Sequence, residues 1–231
     1  GMTAARLPKA GDALKQGVLL LAAFLALVPT LFMMLTALKS DEDYAVNKLG
    51  LPETFVTENF RSVLIDSPFL AWMANSFILV AGAVLLGTIV SCLAAYAIAC
   101  MEFRGRETLL AASTSLMAVP PIVMIVPLFV LYTQLGLIST YQGAIIIYAG
   151  LIPPFSVYLL TTFFRTVPKE LFESAHIDGA GHFLILLKIV LPLSLPALVT
   201  LVVVNSLYVW NDLLIAIIFL QEDSKRTLMA G

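Results

Sequence analysis

Apolar positions in this chain fall in long unbroken runs, not in the alternating or one-sided patterns of water-soluble elements. The runs cover 17–38, 69–101, 109–135, 141–164 and 189–220. At about 1.5 Å per residue the shortest of them still reaches roughly 33 Å, enough for a helix to cross a bilayer. Helices are expected because they satisfy their own backbone hydrogen bonds where no water can. The pattern predicts an all-α membrane protein, one domain over 1–231 with five spans. The first run is too long, and lacks a following small-residue cleavage site, to read as a signal peptide. The second exceeds what a span needs, so it tilts or lays its first turn along the interface, where Trp72 suits the headgroup level. Pro120, Pro121 and Pro127 in the third run, and Pro153-Pro154 in the fourth, remove backbone donors and should bend their helices.

Composition agrees with the pattern. Of 231 residues, 60% are hydrophobic and 12% charged, and the mean hydropathy is +0.98. An ordinary soluble domain carries about twice that charge fraction. The net charge of −2 and the absence of any basic block give no footing for nucleic acid. Cys92 and Cys100 sit together inside one apolar run and read as packing residues, with no spacing that suggests a metal site. Gly1 before Met2 reads as a tag scar.

Apart from Asp212, the charge that remains lies outside the runs. The turn 102–107 carries Arg104 and Arg106, and its opposite number, 135–140, carries none. Cytoplasmic loops are enriched in Lys and Arg, so the N-terminus is placed inside, together with the segment 165–188. Arg6, Lys9, Lys15, Arg165, Lys169 and Lys188 fall on the same side.

That segment is the most polar interruption of the chain. Pro168 suits the first turn of a helix and Gly179 its end, which predicts a helix over 168–179. Leu171, Phe172 and Ala175 share a face, and Lys169 and Glu173 are spaced to pair weakly. Asp178 stands at the C-terminal end, where the helix dipole disfavours an anion, so a partner is needed to explain it. So short a helix is marginal alone in water. It fits two settings, lying on lipid or seated in a protein groove. The lack of a Lys/Arg-rich face speaks against lipid, and a small apolar face centred on Ala175 with charged edges suits a groove.

The spacing Glu173-x-Ala175-x3-Gly179-x9-Ile189-x-Leu191-Pro192 resembles the cytoplasmic loop of permease subunits of binding-protein-dependent ABC importers. Asn75-Ser76, Ala94-Ala95-Tyr96-Ala97, Phe103-Arg104-Gly105-Arg106, Pro168-x-Glu170-Leu171 and Trp210-Asn211 are similar to the carbohydrate-uptake, maltose-permease-like class, from about Asn59 to Leu228. The resemblance implies a type I ABC importer (MetI-like) transmembrane helix bundle in a bacterial or archaeal plasma (inner) membrane. It implies a second homologous permease, a pair of cytoplasmic nucleotide-binding subunits and an extracytoplasmic solute-binding protein as partners. ATP and Mg would be bound by the partner ATPase and no cofactor by this chain. Glu173, Ser174, Ala175, Asp178 and Gly179 would form the ATPase-coupling set, with Ser174 where the family usually has alanine. Relatives continue beyond Thr227-Leu228 to another span, so a sixth span is expected to be missing at the C-terminus, as in a truncated chain or gene fragment.

Polar residues inside the runs are candidates for the solute pathway. Trp210, Asn211 and Asp212 lie within the fifth run, with Asn205 and Tyr148 as further candidates. Asp212 lines the route or else caps a kink or pairs within the bundle; Trp210 offers a ring face to a sugar or packs. His176 and His182 read as surface loop residues, not metal ligands. An ion-gradient-driven secondary transporter is the alternative, but it calls for more intramembrane carboxylates and related halves, and only Asp212 is available. No nucleophile and base, or metal ligands, occur at membrane depth, and no GxxxxGK[ST] loop is present, so neither catalysis nor ATP hydrolysis is expected of this chain.

Overall fold

The computed structural model describes residues 10–231, so Gly1, Met2, Arg6 and Lys9 lie outside the described residues. The described chain falls into two compact units that meet in sequence at Pro68 and Phe69.

In the first unit, α1 (Ala10–Ala37) is one continuous helix, carrying Pro29 within it. Its side chains from Leu14 to Met34 are exposed. The polar chain that follows folds back on the end of this helix. Val56 donates its N–H to the Leu38 carbonyl, and the Asn59 amide donates to the carbonyls of Ala37 at 3.0 Å and Lys39 at 2.8 Å. Ser40 caps α2 (Asp41–Val46) by accepting the Asp43 N–H. The Lys39 amine, buried at 2% exposure, donates to the Asn47 carbonyl. A short helix, α3 (Glu58–Arg61), closes this unit's loop.

The second unit is built around α4 (Phe69–Cys100). Ala83, Gly87, Ser91 and Ala95 recur every fourth residue and are all buried, so they form one smooth stripe. Small side chains let backbones approach closely, and α4 packs on α7 (Tyr141–Leu151), α8 (Pro153–Phe164) and α12 (Leu195–Trp210). A Cβ on Gly87 would lie 2.8 Å from an Ile152 methyl. Gly143 is tighter: a Cβ there would run into the Leu137 carbonyl and sit 2.9 Å from the Thr140 hydroxyl that caps α7. Gly143→Ala is therefore expected to cost about 1–3 kcal/mol through overpacking, read as a lower thermal midpoint of the detergent-solubilised protein.

Two helices of the described chain, Leu14–Ala37 and Phe69–Cys100, are long and apolar enough to cross a membrane as single rods. The other three runs are broken. The third is split into α5 (Arg106–Ser115) and α6 (Pro121–Gln134), with the segment reaching Ala118 turned 96° from α6. Pro120 and Pro121 together deny the helix two donors at that point, and the result is a corner, sharper than a bend. The fourth run bends by 47° at Pro153. The fifth run departs furthest from a single helix over 189–220. His182–Leu193, which contains α10 (His182–Ile185), a π turn at Leu186–Val190 and α11 (Leu191–Leu193), meets α12 at 82°. Pro192 and Pro196 flank that elbow at Ser194. The chain leaves helix again after Trp210 and resumes as α13 (Leu214–Phe219).

Candidate functional site

The loop helix exists where Pro168 and Gly179 place it. It is α9 (Lys169–Ile177), with Pro168 at its N-cap. Its C-terminus is closed by a reciprocal pair of bonds, Ala180 N–H to the Ala175 carbonyl at 2.9 Å and Gly179 N–H to the His176 carbonyl at 3.0 Å. This Schellman closure needs a left-handed residue, and Gly179 supplies it at φ +78°.

Which face points where corrects the expectation. Of the apolar face centred on Ala175, two residues turn inward, while Leu171 stays 40% exposed. Ala175 is buried, and with Phe172 it packs into the chain's own core of Cys92, Ala95, Tyr96, Leu160, Phe164 and Ile185. The reason is local: a small apolar face on a marginal helix is most stable against the nearest apolar surface, which α4, α8 and α10 provide. The outward stripe is Glu170, Glu173, Ser174 and Ile177, spaced i, i+3, i+4, i+7 and all exposed. Ile177 is 87% exposed, a large apolar residue left facing water. Ser174 turns its hydroxyl back onto the Glu170 carbonyl at 2.8 Å. Lys169 and Glu173 form no ion pair, and the Asp178 side chain is exposed and accepts no hydrogen bond, among the described residues. At the foot of the neighbouring helices, Arg165 meets Glu107 at 2.6 Å and joins the end of α8 to the start of α5.

Of the pathway candidates, Trp210, Asn211 and Asp212 lie at the end of α12 and Tyr148 bonds to Asp212, while Asn205 stands earlier on α12. Trp210 is the last residue of α12 and packs edge-on against Phe77, ring centroids 5.1 Å apart. Asn211 is exposed and donates to the Leu207 carbonyl at 2.8 Å, closing its own helix. Asp212 stands at the break after α12. One of its oxygens accepts the Tyr148 hydroxyl at 2.8 Å and the Ile215 N–H at 2.9 Å. Both bonds are of the kind the cap and bundle role calls for. Tyr148 is 1% exposed and wholly committed to that bond.

Asn205, of the five, stands in the wall of a cavity. The cavity measures about 520 Å³ and lies between the α5–α6 corner, the α7–α8 bend and α12. Asn205 is buried and donates to the Ser156 hydroxyl at 3.0 Å, which fixes its amide in the wall. Met117, Met124, Phe155 and Tyr208 complete much of the lining. Tyr208 was not among the sequence candidates. Its signal was available: it lies three residues after Asn205, on the same side of α12.

Comparison with known proteins gives this geometry its family. The chain matches the family described as binding-protein-dependent transport system inner membrane component over residues 84–230. It is 35% identical over 185 residues to the alpha-glucoside transport system permease protein AglG of Rhizobium meliloti (strain 1021), covering 78% of this chain and 49% of that one. It is 34% identical over 221 residues to the melibiose/raffinose/stachyose import permease protein MelC of Bacillus subtilis (strain 168), covering 93% and 80%. The fold superposes on a chain in the crystal structure of a bacterial ABC transporter involved in the import of the acidic polysaccharide alginate. The TM-score is 0.85 and the identity 25%, over 97% of this chain and 80% of that one. Membership carries with it work alongside an ATPase and a solute-binding protein. The chain belongs to the binding-protein-dependent transport system inner-membrane family and is a permease subunit of an ABC importer.

Proposed function

We propose that this permease passes a sugar or related solute, and that α9 is the seat of the cytoplasmic ATPase. The observation that carries the coupling role is the separation of faces on α9. Phe172 and Ala175 anchor the helix in its own core, while Glu170, Glu173, Ser174 and Ile177 stand outward as an exposed amphipathic stripe among the described residues. A helix so mounted transmits force in both directions between a partner and the bundle. Glu173 and Ser174 are the contact positions on this view. Ala175 and Gly179 act behind them, Ala175 by seating the helix and Gly179 by ending it. Asp178 sits beside the contact as an unpaired charge. The N-terminus and the 165–188 segment lie on the cytoplasmic side, a second homologous permease completes the pore, and ATP with Mg is held by the nucleotide-binding pair.

The sugar class is supported by the relatives' named substrates and by the cavity. Its wall is largely apolar, with the Asn205 amide and the Tyr208 ring among its lining groups. A sugar presents hydroxyls at its rim and C–H faces above and below its ring, which such a wall can meet with one polar anchor and aromatic or thioether contacts. The ion-gradient alternative is not favoured, since Asp212, the carboxylate it would use, is already bonded to Tyr148 and Ile215.

The test is assembly followed by a solute panel. The tagged permease should bring down a nucleotide-binding subunit, and the reconstituted importer with its binding protein should hydrolyse ATP faster with one or a few of a series of mono-, di- and oligosaccharides and glycerol phosphate. A complex stimulated by amino acids or ions but by no sugar would refute the solute class and leave the coupling role standing.

A further inference from the structure

The corner where α9 turns into α10 holds a cluster that no step above uses. His182 opens α10 and brings Nδ1 to 3.3 Å from the Tyr96 hydroxyl of α4. His176, in the last turn of α9, meets the His182 ring edge to face with centroids 5.2 Å apart. A line of ring contacts therefore runs from α4 through His182 to the loop helix. Both imidazoles are exposed to water, while Tyr96 is buried in the core that also holds Ala175.

The surroundings leave charge on these rings uncompensated. Neither imidazole is ion-paired with a carboxylate among the described residues. From α4 the titratable groups at this corner are Tyr96 and, near it, Cys100. From α8 and α12 the core beneath contributes Leu160, Phe164 and Leu201, which do not titrate. On the loop itself Glu173, Asp178 and Lys188 are all exposed to solvent.

We infer that Tyr96 and His182 are positioning residues for α9, and that with His176 they form a proton-sensitive latch on the ATPase seat. The inference rests on the docking role proposed for α9. With both rings neutral, His182 is hydrogen-bonded to Tyr96 and carries His176 on its edge, so α9 is held against α4. Histidine is the side chain whose ordinary titration falls between about pH 5 and 8. Protonating both rings sets two like charges about 5 Å apart and makes both nitrogens of His182 donors, which leaves the Tyr96 hydroxyl only the acceptor's role toward that ring. Acid on the cytoplasmic face loosens the helix, and the ATPase is held less firmly as pH falls.

The test uses the complete importer complex, immobilised through the permease and washed at about pH 7.5 or about pH 6, values that bracket ordinary histidine titration. Retained ATPase subunit is the readout, and no solute is needed. The wild-type complex should lose severalfold more ATPase at the acid pH, while the His176→Gln/His182→Gln double variant holds it equally at both. Tyr96→Phe keeps the ring and its packing, so it should lower retention at both pH values and still respond to acid. Matching thermal midpoints in detergent establish that the exposed histidine variants are folded. A double variant that sheds ATPase with acid as the wild type does would overturn the latch alone. A wild-type complex that retains no ATPase at the higher pH would overturn the docking role and the latch with it, so the two failures are told apart.

Discussion

Glu173→Lys is expected to abolish uptake while the permease remains folded and in the membrane. Glu173 stands in the middle of the outward stripe of α9, is exposed, and makes no ion pair among the described residues. Reversing its charge should therefore change the permease's own stability by no more than about 0.5 kcal/mol. At a docking surface the same change places a wrong-sign charge against a complementary partner, where truncation of a buried charge pair costs about 2–5 kcal/mol. Each 1.4 kcal/mol, about, is a factor of ten in affinity. The measurement is co-purification of the nucleotide-binding subunit, expected to fall by more than about tenfold, alongside the thermal midpoint, expected to hold. Intact co-purification together with normal uptake would remove Glu173 from the coupling set.

The second large effect separates structure from charge at Asp212. Asp212→Ala removes the acceptor of both the Tyr148 hydroxyl and the Ile215 N–H. Tyr148 is buried in the core, and a buried hydroxyl without a partner costs about 1–3 kcal/mol. Losing the bond to Ile215 at the start of α13 adds about 1 kcal/mol, as for a lost helix cap. This variant should lower the thermal midpoint and reduce the amount of assembled complex. Asp212→Asn keeps an oxygen in the same place and removes only the charge. It should assemble, melt like the wild type and transport at near the normal rate. Slow transport by a stable Asp212→Asn protein would instead show that the carboxylate charge acts on the solute, and would place Asp212 on the pathway.

The parts of the fold legible in the sequence are those governed by backbone chemistry within a few residues. Pro168 and Gly179 mark the ends of α9 because one lacks a donor and the other tolerates a left-handed conformation, whatever surrounds them. Pro120-Pro121 and Pro153-Pro154 mark breaks for the same reason, though not their size: one gives 96° and the other 47°. The angle is decided by which neighbours the two halves find. The inward turn of Ala175 was hidden likewise. Leu171, Phe172 and Ala175 form one apolar face on a helical wheel, but the surface of α4 and α8 that claims two of them comes from elsewhere in the chain. The bond from Tyr148 to Asp212 was hidden too, since its partners lie 64 residues apart. Tyr208 was overlooked because tyrosine in an apolar helix is common, and only the cavity beside Asn205 distinguishes it.

Because α9 keeps its anchoring residues and its outward residues on opposite sides, the two can be altered independently. The outer side can be rewritten to suit a different motor while Phe172 and Ala175 continue to fasten the helix to its own bundle. A hybrid permease, carrying the Glu170, Glu173, Ser174 and Ile177 positions of another importer, should thus accept that importer's engine without any redesign of the interior.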